Sequence, residues 1–218
     1  MATVSGWGAS RIGVRLGLRP SQLIQEALSR ALGRAQIAKT SVDALLACPS
    51  LSDPKFMEAH HIATECDLFD HAQRRPFCAK TIDVGGASPV SMLLQAKQMV
   101  ENEGYNVVVV VGGDSVSSLN PREFVERADE AFASREVRQN ISYLKSPYIP
   151  NAYAHCTTAH MQKHNVSREQ LAMVSVLMSA QATYHPLAVQ RRPYDLDEVL
   201  NSTSVGQNLN LLECARKA

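Results

Sequence analysis

The sequence predicts an α/β fold built on a parallel sheet, and three stretches carry that prediction. Asn106-Val-Val-Val-Val-Val-Gly112 holds five valines in a row. A run that does not alternate with polar residues is expected to be covered on both faces, as in a parallel sheet between helices. Thr81–Val84 reads as a strand that enters Gly85-Gly86 and then a helix from Pro89 to about Glu103, which makes a βαβ unit with the valine strand. Pro20-Ser21 followed by Leu23, Ile24, Ala27, Leu28, Ala31 and Leu32 is an amphipathic helix with a serine cap, ending around Gly33.

The remaining elements follow in chain order. Val4-Ser-Gly-Trp-Gly-Ala is read as a short first strand with its turn, although Arg11, Arg15 and Arg19, all before the first acidic residue Glu26, also fit a transit peptide. Ser41–Ala47 is a short strand or helix, and 49–75 is a polar, His-bearing loop with helical pieces. After Gly113 the stretch "SLNPREFVERADEAF" and the residues to Pro150 are polar and broken by prolines, as in an insertion lying outside the sheet. Ala159–His164 and Ser167–Ala182 show helical spacing. The second has a Ser167 cap, Glu169 in its first turn, Leu171, Val174, Leu177 and Met178 on one face, and Pro186 beyond its end.

Composition excludes several classes. The 218 residues are 45% hydrophobic and 20% charged, the balance of an ordered globular chain. A net charge of +1 provides no broad basic surface for nucleic acid, so a small anionic ligand fits better. Five irregularly spaced cysteines (Cys48, Cys66, Cys78, Cys156, Cys214) without a secretory signal argue against a disulfide framework and for a reducing compartment. No apolar run approaches the roughly 18 residues of a membrane span.

The chemistry centres on the glycine turn. A glycine pair between strand and helix lets backbones approach and aims free N–H groups at anything negative, so the turn is either an oxyanion or phosphate cradle or a purely structural bend. It matches neither the dinucleotide pattern GxGxxG nor a phosphate loop ending in Gly-Lys-Ser/Thr. His60, His61, His71, Cys66 and Cys78 crowd one polar region but lack metal-ligand spacing, and the pair His160 and His164 has no cysteine pair beside it, so no metal is assigned. Cys156, next to His155 and ahead of a helix start, is read as a buried thiol in preference to a nucleophile. Arg74-Arg75 and Arg191-Arg192 are solvated charge, or a phosphate contact beside a pocket.

Taken together, these stretches resemble the amino-terminal half of a thiolase, specifically the sterol-carrier-protein type and its thiolase-like relatives. "GWGASRIG", "PSQLIQEALSRALGRAQI" and "SVDALL" are similar to the family's first strand, first helix and second strand. "GGASPVSMLLQAKQMVENEGYNVVVVVGGDSVSS" resembles the nucleophile turn, its helix and the following strand. "AHMQKHNVSREQLAMVSVLMSAQATYHPLA" and "RRPYDLDEVLNSTSVGQNLNLLEC" resemble the loop-domain helices and the segment returning to the core. The resemblance implies a layered α/β/α/β/α fold, with a core at 1–118 and a loop-domain-like insertion at 119–218. It also implies acyl-CoA substrates, lipid metabolism and Claisen-type chemistry through an acyl-cysteine, with no covalently bound cofactor.

Two departures shape the functional expectation. Aligning Ala87-Ser88 with the family's nucleophile motif puts Gly86 where the cysteine belongs, and glycine cannot form a thioester. The chain also lacks the half that supplies the family's Asn/His, Gly-His-Pro histidine and second cysteine, so the fold is expected to be incomplete at its carboxy terminus with an open sheet edge. The expectation is therefore a thiolase-like acyl-CoA or lipid binder with impaired or absent catalysis. No residue is assigned as catalytic, although the N–H groups of Gly85, Ala87 and Ser88 remain an oxyanion turn. Tyr153 and His155 are expected near pantetheine, and Arg191 and Arg192 near a phosphate of CoA or acyl-CoA. The competing readings are an acyltransferase completed by a carboxy-terminal segment, and an interaction module or homo-oligomer using the strand at 107–112. Mitochondrion, peroxisome and cytoplasm all stay open.

Overall fold

The computed structural model describes residues 1–14, 16–69, 76–132, 140 and 144–215. Arg15, His71 and Arg74-Arg75 lie outside the described residues. The chain forms two compact units, one of Met1–Arg11 with Arg15–Leu119 and one of Ile12–Val14 with Asn120–Ala218.

The first unit is a three-stranded parallel sheet. Its strands are β1 (Ala44–Ala47), β2 (Cys78–Thr81) and β3 (Val108–Val111), in the order β2-β1-β3. β1 runs down the middle, paired from Ala44↔Cys78 to Ala47↔Thr81 on one side and from Ala44↔Val108 to Ala47↔Val111 on the other. All four of its residues are buried. Helix α1 (Pro20–Ala35) and helix α2 (Glu58–Glu65) contribute Ile24, Leu28, Ala59 and Ile62 to a cluster with Leu45, Ala47 and Val111. Helix α3 (Ser88–Asn102) contributes Met92 and Met99 to a separate cluster with Ala44 and Leu46.

The valine run is thereby explained. Val107 and Val109 pack with the α1/α2 cluster, and Val108 and Val110 with the α3 cluster. Successive side chains of a strand point to opposite faces, so a strand sandwiched between helices needs an apolar residue at every position. β3 is nonetheless only half-buried apart from Val111, as suits a strand at the end of the sheet.

Three sequence expectations need correction. Val4–Ala9 forms no strand. Its backbone lies against α1, so that a Cβ on Gly8 would stand 2.0 Å from the Ala27 carbonyl oxygen and one on Gly6 would stand 2.4 Å from that of Ala31. Trp7 is held there by Arg34, whose guanidinium sits 4.0 Å over the ring and donates to the Trp7 carbonyl at 2.9 Å. The close approach to a helix uses the glycines that a turn had seemed to require. Next, β2 is Cys78–Thr81 and not Thr81–Val84, because the pairing starts where Cys78 N–H donates to Asp43 O and ends where Ile82 N–H donates to Ala47 O. Finally, Ser21 lies inside α1. The cap residue is Arg19, whose N–H donates to Gln22 Oε1 at 2.9 Å, and Pro20 opens the helix without losing a bond.

The second unit contains helices α4 (Pro121–Phe132), α5 (Tyr148–His164), α6 (Arg168–Ala182) and α7 (Leu196–Leu200), followed by an antiparallel pair, β4 (Ser204–Gly206) and β5 (Leu209–Asn210). Buried Asp129 on α4 accepts from Ser146 Oγ and from Tyr148 N–H at the start of α5. The Ser167 cap is present: Gln170 N–H donates to Ser167 Oγ, and Ser167 N–H donates back to Gln170 Oε1. Val174, Leu177 and Met178 do share one face of α6, but it is the exposed face, joined by Met173. Ala172 and Ser179 form the buried side, so this helix is apolar toward solvent and small toward its own unit.

Candidate functional site

The turn between β2 and α3 fastens itself. Gly85 adopts φ +58°, a conformation glycine reaches without strain. Its N–H donates to Asp83 Oδ1 at 3.1 Å. Ala87 N–H donates to Val84 O at 3.3 Å, and Ser88 N–H to Gly85 O at 3.0 Å. Ser88 is buried, and its hydroxyl accepts from Val84 N–H at 3.0 Å while donating to Gly85 O at 2.7 Å. The three N–H groups read from sequence as an oxyanion turn therefore already have acceptors within the turn. The hydroxyl of Ser88 is a clamp with both its donor and an acceptor position engaged.

Gly86 differs from Gly85. It is exposed, and a Cβ built on it meets nothing within 4 Å. A thiol there would be tolerated by the backbone, so glycine at this position is not imposed by the turn.

Three thiols lie in the same unit as the turn. Cys48, just beyond β1, is half-buried, with its Sγ 2.9 Å from where a Gly112 Cβ would stand. Burial pushes its thiol up, and the charges of Glu58, Asp114 and Asp83 push the same way. Cys66 is fully buried in the α1/α2 cluster, and burial raises it to about 11. Cys78 opens β2, at the opposite end of that strand from the turn, and is hydrogen-bonded to Tyr105. A thiolate is the nucleophilic form, so a raised pKa suppresses reactivity.

Sequence reasoning missed two carboxylates that shape this end of the sheet. Asp83 closes the turn as described. Asp114, after β3, accepts from Leu51 N–H, Ser52 N–H, Ser52 Oγ and Ser115 N–H at 2.5–3.1 Å and ties two loops together beyond the strand ends. The available signal was local: Asp two residues before a glycine is a side-chain turn former, and an Asp just past a double glycine invites the same reading.

In the second unit, Tyr153 and His155 both lie on α5 and are exposed. Two residues apart means about 200° around the helix, so they do not share a face. Arg192 pairs with Glu198 through both guanidinium nitrogens and lies 5.2 Å over the Tyr194 ring. Arg191 donates to the carbonyls of Ala188 and Pro186. Cys156 is neither at a helix start nor buried: α5 begins at Tyr148, which leaves Cys156 mid-helix and exposed. Thiol labelling of the native chain is accordingly expected to consume Cys156 first and Cys66 last, as followed by peptide mass. Early labelling of Cys66 would contradict the packing of the α1/α2 cluster.

The rings of His160 and His164 stand 4.7 Å apart. Among the described residues, no group of three or more His, Cys, Asp or Glu side chains is placed to hold a metal, and no helix is long and apolar enough to cross a membrane.

A parallel sheet whose strand β2 runs through a glycine turn into a sheet-covering helix places the chain among α/β proteins. The family model for the thiolase N-terminal domain matches residues 7–186, and the chain belongs to that family. It is 27% identical over 195 residues to an acetyl-CoA acetyltransferase of Methanothermobacter thermautotrophicus, covering 88% of this chain and 48% of that protein. It is 26% identical over 130 residues to sterol carrier protein 2 of Gallus gallus, covering 59% and 24%. Among solved structures it superposes on an Ltp2-ChsH2(DUF35) aldolase with TM-score 0.74 at 21% identity, covering 97% of this chain and 51% of that one. A monomeric SCP2-thiolase-like protein type 1 from Mycobacterium smegmatis gives TM-score 0.63 at 17% identity, covering 93% and 39%. These likenesses show the fold. The chain spans about half the length of the acetyl-CoA acetyltransferases it matches, 48% and 52%.

Proposed function

We propose that this chain binds CoA thioesters without performing the thiolase reaction. The observation that carries the reading is the turn. Gly86 stands where the family motif places the nucleophile, in a backbone that would accept a side chain, and burial holds the thiols of Cys48 and Cys66 protonated. An oxyanion role for Gly85, Ala87 and Ser88 requires the turn's internal bonds to open, so what survives of the site is its shape and not its chemistry. Tyr153 and His155 lie on different sides of α5, so one of the two is assigned to the pantetheine, and Arg191 and Arg192 to phosphate. Arg191 is the better phosphate candidate because its present acceptors are backbone carbonyls, whereas Arg192 must give up a carboxylate. The second reading, an acyltransferase completed by the half that this chain does not span, is favoured by the coverage of its relatives.

Calorimetric titration with CoA and a medium-chain acyl-CoA, with product analysis of the same samples, separates the readings. Saturable heat without turnover supports the binder, and no binding sinks it. Arg191→Ala is expected to weaken CoA about tenfold, the value of one charge-assisted hydrogen bond. Gly86→Cys is expected to fold normally and still to leave acetoacetyl-CoA uncleaved, because a nucleophile needs an acid/base partner to be activated. Thiolysis by that variant alone would show that the machinery is complete in this chain.

A further inference from the structure

His160 and His164 lie one turn apart at the end of α5, both exposed, with ring centres 4.7 Å apart and planes tilted by 41°. Residues four apart on a helix share a face, which brings the two imidazoles together. The spacing that fits no zinc-finger pattern is that of a chelating pair. We propose that His160 and His164 form a binding site for a divalent transition-metal ion, of the nickel, copper and zinc group that suits imidazole ligands.

The ring separation carries the proposal. An ion about 2.1 Å from one nitrogen of each ring, with the two bonds at a right angle, sets the ring centres roughly 4.6 Å apart, and a tetrahedral angle widens this to roughly 5.2 Å. The observed 4.7 Å suits the first, the arrangement that nickel and copper adopt. Among the described residues neither ring is held by a hydrogen bond or an ion pair, so both are free to turn a nitrogen toward a shared ion. The scaffold beneath them is regular: Asn165 closes α5 in the left-handed conformation, and its N–H and that of Val166 both donate to Met161 O. The last carbonyls of a helix carry partial negative charge, which favours a cation at this end. Lys163, in the same turn, is exposed and long enough to keep its ammonium in water. Cys156 precedes His160 by one turn but lies eight residues, about 12 Å along the axis, from His164, so the three do not meet on one ion. In His160-Met-Gln-Lys-His164 the glutamate that makes such a pair hydrolytic is replaced by Met161, so the pair holds an ion and water fills its other positions. The proposal does not rest on acyl-CoA binding, which has its own titration.

Calorimetric titration of the full chain, carrying no affinity tag, with Ni2+ is expected to show one ion bound per chain. The same titration with Mg2+ is expected to give no saturable heat, because a hard cation takes oxygen ligands. His160→Ala and His164→Ala are each expected to weaken nickel by about tenfold or more, since losing a ligand costs at least what losing a group behind one does. Both side chains are exposed, so these variants should keep their helix content by circular dichroism. Cys156→Ser and His185→Ala should leave nickel binding unchanged. A second readout locates the ion: nickel is expected to slow amide exchange across 163–166, because it ties the last turn of α5 to the one before, and to lose that effect in His164→Ala. Absence of nickel binding overturns the proposal, and so does binding that survives both histidine substitutions or that falls with Cys156→Ser. Protection that appears elsewhere and spares 163–166 overturns it equally.

Discussion

Replacing Glu213 with alanine is expected to destabilise the second unit by about 3–5 kcal/mol, the cost of leaving a buried charge without its partner. Glu213 takes two bonds from the Arg168 guanidinium, one at 2.6 Å, and a third from Asn210 N–H at 2.8 Å. The side chains are only 9% and 18% exposed, so water cannot replace what is lost. The pair fastens the end of the returning segment to the first residue of α6. Hydrogen exchange should show the effect first at 203–214, where Leu211 N–H bonds Thr203 O and Leu212 N–H bonds Ser202 Oγ. Removing both partners, as Arg168→Met with Glu213→Leu, should cost clearly less than removing one, since no lone charge remains. A loss below about 1 kcal/mol for Glu213→Ala would place this pair among surface ion pairs.

Leu46→Ala is the second large effect, expected to cost the first unit about 2–5 kcal/mol in denaturant unfolding. Leu46 is fully buried on the central strand and meets Met92 and Met99 across the sheet–α3 interface. Truncating it leaves a void between a helix and a strand that are both fixed by other contacts, so little collapse can offset the lost packing. Leu45→Ala should cost a similar amount by emptying the opposite cluster of Ile24, Leu28 and Ile62. If Leu46→Ala changed stability by only a few tenths of a kcal/mol, α3 would not be seated on the sheet as described.

Several elements were legible because their cause is local. The Ser167 cap, the first helix and the βαβ order each rest on a residue type acting within one turn or one strand. The valine run announced a strand covered on both faces, and its residues do alternate between two clusters. The errors have the opposite character. Val4–Ala9 has the composition of a strand and turn, but its glycines serve an approach to α1 that only long-range packing creates. β2 was placed three residues late because Ile82 and Val84 look more strand-like than Cys78–Thr81, while pairing with β1 chose the register. The helix that carries Cys156 was started too late, since prolines at 147 and 150 read as breaks and in fact fall at its cap and within its first turn.

The candidate site divides along the same line. That Gly86 carries no nucleophile is a property of the sequence, because chemistry absent from a side chain is not restored by folding. That the turn's N–H groups are engaged and that Cys48 and Cys66 sit in surroundings that hold their thiols protonated were decided by the folded structure. Periodicity likewise established that Val174, Leu177 and Met178 share a face, but not that this face is turned outward. The physical reason is one of range: residue type fixes what a group can do and which neighbours in sequence share its side of an element. Solvent exposure, charge environment and hydrogen-bond partners come from residues far away in the chain, and these determine what the group does.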